Sequence, residues 1–368
     1  MVQPRRAAFW VFVVLLLFGG TAVLADEYHG FAVTATAHLT LLPVWLLFAA
    51  ASVRLILLFD PFRSMRRHWT ILIAAAALGA TWANAMAIYG NARAGRWFGQ
   101  VLGLTPSAEA RWQAAFVAPL VEEVAKAVCV AVVLALSAPV LNRIAHAMMI
   151  GMFTGFGFLM AENLNLATIS GLDDPHSSRH GIVQSMSYRL PTILSSHWCY
   201  TGLTAVALLL LMPWFAERAN WSRRRRLGTA SALVIAALLM HGLWNLPQPE
   251  WMGLAVADAA KIAVNTVILL TATLPLLRVE RRRVRSEVSA QRRVALAGFD
   301  QAVLDSLPTY RQRSALRLRG LRESGLSATH SVRGAQCRAL DTIQAGTDHM
   351  SRPMSSTRTE CVSAPTAR

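Results

Sequence analysis

Eight apolar stretches dominate this chain, and each is long enough to cross a bilayer as a helix. A hydrocarbon core of ~30 Å takes roughly 20 helical residues. Stretches of that order lie at about 7–25, 34–59, 70–89, 114–136, 144–169, 190–215, 228–246 and 253–277. Several run apolar without the period-2 alternation of barrel strands, so helices are expected. Composition agrees, since 54% of the 368 residues are hydrophobic and only 15% charged, against about a quarter charged in a soluble domain. The expected fold is an all-α polytopic membrane protein. About eight transmembrane helices fill residues 1–277, and a basic, largely disordered cytosolic tail follows at 278–368.

The net charge of +16 raises nucleic acid as a partner, and its placement argues for none. The arginines sit in short loops and in the tail, where Tyr310 is the one aromatic after Phe299. Four cysteines without a CxxC pair argue against a disulfide scaffold or a thiolate zinc site. Arg5 and Arg6, Arg63 to Arg67, Arg143, and Arg218 with Arg223 to Arg226 fall in alternate loops. The positive-inside rule places those loops and both termini in the cytosol of a multi-pass cell-membrane protein. The 90–113 segment, with Arg93, Arg96 and Arg111, fits least well. Arg5-Arg6, the first apolar run and Val23-Leu24-Ala25 also resemble a signal peptide. Cleavage there would leave seven spans in the same orientation.

The tail carries 17 arginines against 8 acidic residues. Arg278 to Arg285 form a juxtamembrane basic segment suited to anionic lipid headgroups. Residues of about 290–322 show amphipathic spacing through Leu296, Phe299, Val303 and Leu307. Disorder is expected beyond them.

The informative residues are those that are costly to place in lipid. A charged residue at a helix centre costs roughly 2.5–3.5 kcal/mol, so such residues face protein or a water-filled cavity. Glu122, Glu123 and Lys126 lie in the fourth span, Glu162 and Asn163 in the fifth, His197 in the sixth, His241 and Asn245 in the seventh, and Asp258 and Lys261 in the eighth. At ~1.5 Å per residue, Glu122 and Lys261 lie ~12 Å from the outer ends of their spans, Glu162 and His197 ~10 Å, and His241 ~8 Å. Polar groups from five helices thus share one layer, which implies a common cavity.

Spacing supports that cavity. Lys126 follows Glu122 by four and Glu123 by three, so one ammonium reaches both carboxylates. His197 shares a helix face with Thr201, and His241 with Asn245. Gly151, Gly155 and Gly157 leave room for a neighbouring helix beside Glu162. Each feature has a plainer reading: an ion cluster for Glu122, Glu123 and Lys126, and helix-packing groups for Glu162, His197 and His241. Asp258 and Lys261 read as a structural pair, and Arg54 as a snorkelling side chain.

In series, these residues resemble the PrsW-type intramembrane proteases. Glu122-Glu123-Val-Ala-Lys126 is similar to that family's EExxK motif. Phe158-Leu-Met-Ala-Glu162-Asn163 is similar to its FxxxEN motif. Ser196-His197 and His241-Gly-Leu-Trp-Asn245 match its two later histidine motifs in order. The resemblance covers roughly residues 114–246, and the first three spans, the eighth and the tail carry no matching motif. It implies kinship with CAAX prenyl endopeptidases and bacteriocin-immunity membrane proteases, although Lys126 and Glu162 stand where the CAAX branch has arginine and histidine. It also implies a prokaryotic enzyme that cuts a single-pass membrane protein near its external face, of which an anti-sigma factor is the example known for the family's namesake.

The expected chemistry is hydrolysis without a covalent intermediate and without a cofactor. Glu122 or Glu123 deprotonates a water, with Glu122 favoured, and Lys126 sets the charge balance. His197 or His241, with Asn245, donates to the oxyanion, a role worth roughly 2.7–4 kcal/mol per donor. Glu162 orients the water or a histidine. Ser195 and Ser196 diverge from His197 on a helix, and no GxSxG is present. A zinc site on Glu122, Glu162, His197 and His241 is the alternative within enzymes. A proton-relaying transporter or a helix-binding scaffold is the alternative outside them.

Overall fold

Of the six helical segments long and apolar enough to cross a membrane, the most buried is the one whose apolar residues are spread round the helix rather than confined to one face. This is α7 (Ile144–Asp173). In the computed structural model, which describes residues 3–138, 140–249, 251–291, 296 and 298–350, 83% of its most apolar stretch is buried, against 6% for α1 (Ala7–Thr40). α7 is therefore the axis of the bundle. Glycines set how closely its neighbours approach. A methyl group added to Gly155 would fall 2.3 Å from the His197 carbonyl oxygen, and one on Gly157 would fall 1.9 Å from that of Ala76. Two helices, α9 (His197–Leu211) and α3 (Trp69–Leu78), thus lie backbone-to-backbone against α7.

The remaining helices are α2 (Leu42–Ile56), α4 (Asn84–Leu102), α5 (Pro106–Phe116), α6 (Ala118–Ser137), α8 (Ser178–Arg189), α10 (Arg223–Asn245), α11 (Leu254–Gln291), α12 (Gln301–Ser306) and α13 (Tyr310–Met350). No strand occurs among the described residues. Six helical segments are long and apolar enough to cross a membrane, or seven if the pair Ser178–Ile193 and His197–Leu211, bent by 41°, counts as one span. The chain is a multi-pass helical membrane protein. The expected count of eight differs through α6, whose 20 residues include Glu122, Glu123 and Lys126, all buried, and, where the bent pair is not counted as a span, through the 15-residue α9 as well.

Two segments read as loops are helical. α1 continues past Asp26 and Glu27 to Thr40, and the break falls just before Pro43, where proline suits a first helical turn. Asn165 on α7 donates to Glu27 at 2.7 Å, which gives that carboxylate a partner along the helix. The 90–113 segment is the end of α4, a left-handed cap at Gly103 (φ 62°), and α5, whose Thr105 side chain caps its first turn.

The basic loops gather at one end of the bundle. Arg6 donates to the Ala135 and Leu136 carbonyls at 2.8 and 3.0 Å. The Ala216 N–H bonds the Asn142 carbonyl at 3.0 Å, and Gln344 donates to the Phe62 carbonyl at 2.9 Å. The tail docks on this end. Val284, Val288, Leu304, Leu307, Leu340 and Ile343 close around Phe62 as a second apolar core. The amphipathic segment expected at 290–322 corresponds to α12 and the first half of α13, which breaks at Gly325 (φ 79°). Helix continues from there to Met350. Of the region where disorder is expected, residues 351–368 lie outside the described residues.

Candidate active site

α6 begins with Ala118-Pro119, so its first turn is fixed one turn before Glu122. That placement puts Glu122, Glu123 and Lys126 on the face toward α7, α9 and α10. All three are buried, and Lys126 binds them together as its spacing predicts. Its Nζ donates to Glu123 Oε1 at 2.9 Å and to Glu122 Oε2 at 3.3 Å. The ammonium also sits 3.9 Å from the centroid of the Phe158 ring, a cation–π contact that a desolvated charge makes worthwhile.

His197 joins from the first residue of α9. Its Nδ1 is 2.8 Å from Lys126 Nζ and its Nε2 is 3.1 Å from Glu162 Oε2. An ammonium only donates and a carboxylate only accepts, so these neighbours place the imidazole proton on Nε2. Glu162 is itself held by Arg189, which also donates to Asn163 Oδ1 at 2.6 Å. His241 arrives from α10, stacked on Tyr200 with ring centroids 5.0 Å apart. Its Nδ1 lies 3.2 Å from Glu123 Oε1 and its Nε2 3.5 Å from Glu122 Oε2, and neither nitrogen completes a hydrogen bond.

The two adjacent glutamates differ in what their oxygens face. Glu123 has both oxygens engaged, one by Lys126 and the other by Thr201 Oγ1 at 3.3 Å. Glu122 has Oε1 held by Asn91 at 3.0 Å. Its Oε2 faces both imidazoles, 3.8 Å from His197 Nδ1 and 3.5 Å from His241 Nε2. The access route pulls the other way. A groove of about 520 Å³ between α6, α9 and α10, lined by Leu120, Val124, Leu208, Val234 and Leu238, opens from the apolar exterior and reaches Glu123. A second groove of about 470 Å³ continues it along α10, past Leu120 and Leu238 to Gly242. Both glutamates have a donor on each oxygen, and Glu122 is favoured because its Oε2, shared with the Lys126 ammonium at 3.3 Å, is the oxygen that also faces both imidazoles.

Six of the seven residues singled out in the sequence converge: Glu122, Glu123, Lys126, Glu162, His197 and His241. Asn245 does not. One turn beyond His241, its amide donates to the Ala114 carbonyl at 2.9 Å, so it ties α10 to α5 and makes no bond within the cluster. Lys261 also leaves the expected layer, because it caps the end of α10 through the Trp244 and Leu246 carbonyls at 2.9 and 2.7 Å. Two contributors carry no signal in the sequence. Asn91 falls in a segment that reads as a loop, and Arg189 falls at a span edge, where arginine ordinarily marks topology.

Glu122, His197 and His241 each offer one ligand atom, all within 4.8 Å of one another. One carboxylate and two imidazoles with an open position match zinc's preferences, and the carboxylate of Glu162 behind His197 is the partner a ligating histidine ordinarily has. The donor set therefore fits a metal. Lys126 rests on two of its three members, so ammonium and metal compete for the same lone pairs. A second group, Asp174, His176 and His180, lies on the α7–α8 turn, where Asp174 accepts from the His176 and Ser177 backbone N–H groups.

A buried acid–base cluster inside a helical bundle, reached by a groove from the apolar exterior, has the parts that an intramembrane hydrolase requires. The profile of the PrsW family of intramembrane metalloproteases matches residues 67–274, more than half of the chain, and this protein belongs to that family. It carries an intramembrane protease domain. The match runs from the α2–α3 turn into α11, wider than the 114–246 segment that holds the motifs. Comparison with curated proteins and with solved structures returned no match.

Proposed function

We propose that this protein hydrolyses a peptide bond of a single-pass membrane protein, an anti-sigma-factor-like substrate, near the external face of the cell membrane. A water is activated by Glu122. The observation that carries this reading is the state of Glu122 Oε2, which faces two buried imidazoles and an ammonium while Asn91 holds the other oxygen. In the reaction, Glu122 Oε2 takes a proton from water as its oxygen bonds to the carbonyl carbon. The resulting oxyanion accepts from a His241 N–H. Glu122 then passes the proton to the amide nitrogen as the C–N bond breaks, leaving one free carboxyl and one free amine. Lys126 and Glu123 hold the charge of the cluster constant, and Glu162, fixed by Arg189, orients His197. With the basic loops in the cytosol, both termini are cytosolic and the cluster lies toward the outer leaflet.

A second reading rests on the convergence of Glu122, His197 and His241 and on the metalloprotease description of the family. Those three residues would hold a divalent ion such as zinc, which would supply Lewis-acid activation of water. Glu162 would then fix the His197 ring through Nε2, and Glu123 would remain as the base.

The test is co-expression with single-pass proteins tagged at both ends, using wild type and Glu122→Gln, with and without a zinc chelator. Loss of a general base lowers rates by about 10²–10⁴-fold. The expected result is that loss in the variant together with cleavage that the chelator leaves unchanged. Chelator-sensitive cleavage moves the assignment to the metal reading. Undiminished cleavage by Glu122→Gln overturns both.

A further inference from the structure

Six arginines line one cavity where the tail meets the bundle. Arg54 stands at the end of α2, Arg63 and Arg66 lie in the α2–α3 turn, and Arg313, Arg317 and Arg333 lie on α13, around a volume of about 320 Å³. Among the described residues, the one carboxylate in the lining is Asp60, and it is already committed. It accepts from the Ser64 N–H and hydroxyl at 2.8 and 2.9 Å and from the Met65 N–H at 3.0 Å. Positive charge is therefore concentrated here in excess of acid.

Several of these guanidiniums are held in place rather than waving in solvent. Arg63 forks onto Asp341 at 2.8 and 2.9 Å. Arg317 Nε donates to Gln336 Oε1 at 2.7 Å. Arg313 is buried, donates to the Leu307 carbonyl at 2.5 Å and stands 5.5 Å over the Phe62 ring. Arg66 reaches the Leu57 carbonyl at 3.4 Å with one terminal nitrogen, while its Nε, shut off from solvent, has no hydrogen-bond partner. Each guanidinium carries five N–H donors, so these anchors fix orientation and leave donors over. Burial, and after it the adjacent Arg317, holds the pKa of the Arg313 guanidinium down to about 10.

We propose that this cavity is a binding site for a phosphate-bearing anion, clamped between the α2–α3 turn and α13. Fixed guanidinium forks match the oxygens of a phosphate group better than any other common anion except a carboxylate. The volume lies at the small end of ligand pockets. Leu57, Leu58 and Pro61 form an apolar lip at the end of a membrane-spanning helix, and Leu58 is 57% exposed. A lipid headgroup and a soluble phosphate compound present the same chemistry to the arginines, and the lip favours the lipid. Arg54, read from the sequence as a snorkelling side chain, gains a partner in this assignment.

The test uses the full chain purified in detergent and stripped of lipid, with phosphatidylglycerol, phosphatidylcholine and inorganic pyrophosphate as probes. Bound lipid is read by native mass spectrometry, and pyrophosphate by the shift in melting temperature. Expected is retention of phosphatidylglycerol over phosphatidylcholine, weakened at least about tenfold, or 1.4 kcal/mol, in the double variant Arg66→Gln/Arg317→Gln. The control Arg223→Gln/Arg224→Gln removes the same charge from exposed positions at the start of α10 and leaves binding unchanged. If the Gln variant does not fold, Arg66→Lys/Arg317→Lys keeps the charge and still weakens binding, because an ammonium cannot fork. A pyrophosphate shift in wild type that the site variant loses assigns a soluble ligand to the same cavity. Equal binding by wild type and the site variants, or an equal loss in the α10 control, overturns the proposal.

Discussion

The cluster between α6, α7, α9 and α10 and the cavity between the α2–α3 turn and α13 both concentrate ionisable side chains, and they treat charge in opposite ways. In the cluster, Glu122, Glu123 and Glu162 are set against Lys126 and Arg189, with two imidazoles between them. Every carboxylate has a cation or a donor within reach. In the cavity, six arginines face one committed aspartate. The difference follows from the surroundings. A group enclosed by helices in lipid has no water or counterion to offset it, so the chain must supply the compensation itself. A cavity at the edge of the bundle can borrow its counter-charge from a ligand or from anionic headgroups.

The contrast breaks most sharply at Lys126. Replacing it by methionine removes the ammonium shared by Glu122, Glu123 and His197 and leaves two adjacent carboxylates buried. Unpairing a buried charge costs about 3–5 kcal/mol, so Lys126→Met is expected to collapse the folded yield and lower the thermal midpoint in detergent. A variant that folds and melts like wild type would show that the cluster is not internally balanced as described.

Next in size is Gly155. Its missing side chain lets α9 bring His197 against α7, and a larger residue must push those backbones apart. Overpacking costs about 1–3 kcal/mol, and here the displaced element carries His197. Gly155→Val is therefore expected to lose stability and cleavage together, whereas a change confined to the cap that α12 and α13 form on the bundle would lose neither to that extent. Arg189 tests a narrower link. Arg189→Gln leaves Glu162 in place with only His197 to hold it. Outer partners of working side chains are typically worth about 10–100-fold in activity. That loss is expected in the cleavage assay with the melting temperature little changed; unaltered cleavage would reduce Arg189 to a topology marker.

The two regions are also unequally legible in the sequence. Glu122, Glu123, Lys126, Glu162, His197 and His241 stand out because lipid makes each of them costly, and counting residues along their spans already puts them at one depth. Asn245 misleads because i, i+4 spacing gives a shared helix face but not a shared height, and one turn carries its amide to the Ala114 carbonyl. Asn91 is hidden by the loop-like composition of residues 90–113. The cap is hidden for a different reason. Its residues are spaced for an amphipathic helix, but the surface it covers, around Phe62, Arg63 and Arg66, lies some 280 residues earlier in the chain, and no local pattern announces such a partner.

The smallest expected effect comes from Asp341, and it sharpens the comparison most. Its pair with Arg63 is about a third exposed on each side, and such pairs contribute about 0–1 kcal/mol. α13 stays docked without it through Leu340, Ile343 and the Gln344 bond to the Phe62 carbonyl. Asp341→Asn should thus leave the melting temperature and cleavage nearly as they are. It also frees the Arg63 fork and adds to the positive excess of the cavity, so retention of phosphatidylglycerol should strengthen rather than weaken. Weaker retention would mean that Arg63 is useful to the anion only while Asp341 aims it. The cap would then be built like the cluster, with its own carboxylate fixing the geometry, and the contrast in charge economy would narrow to a difference in degree.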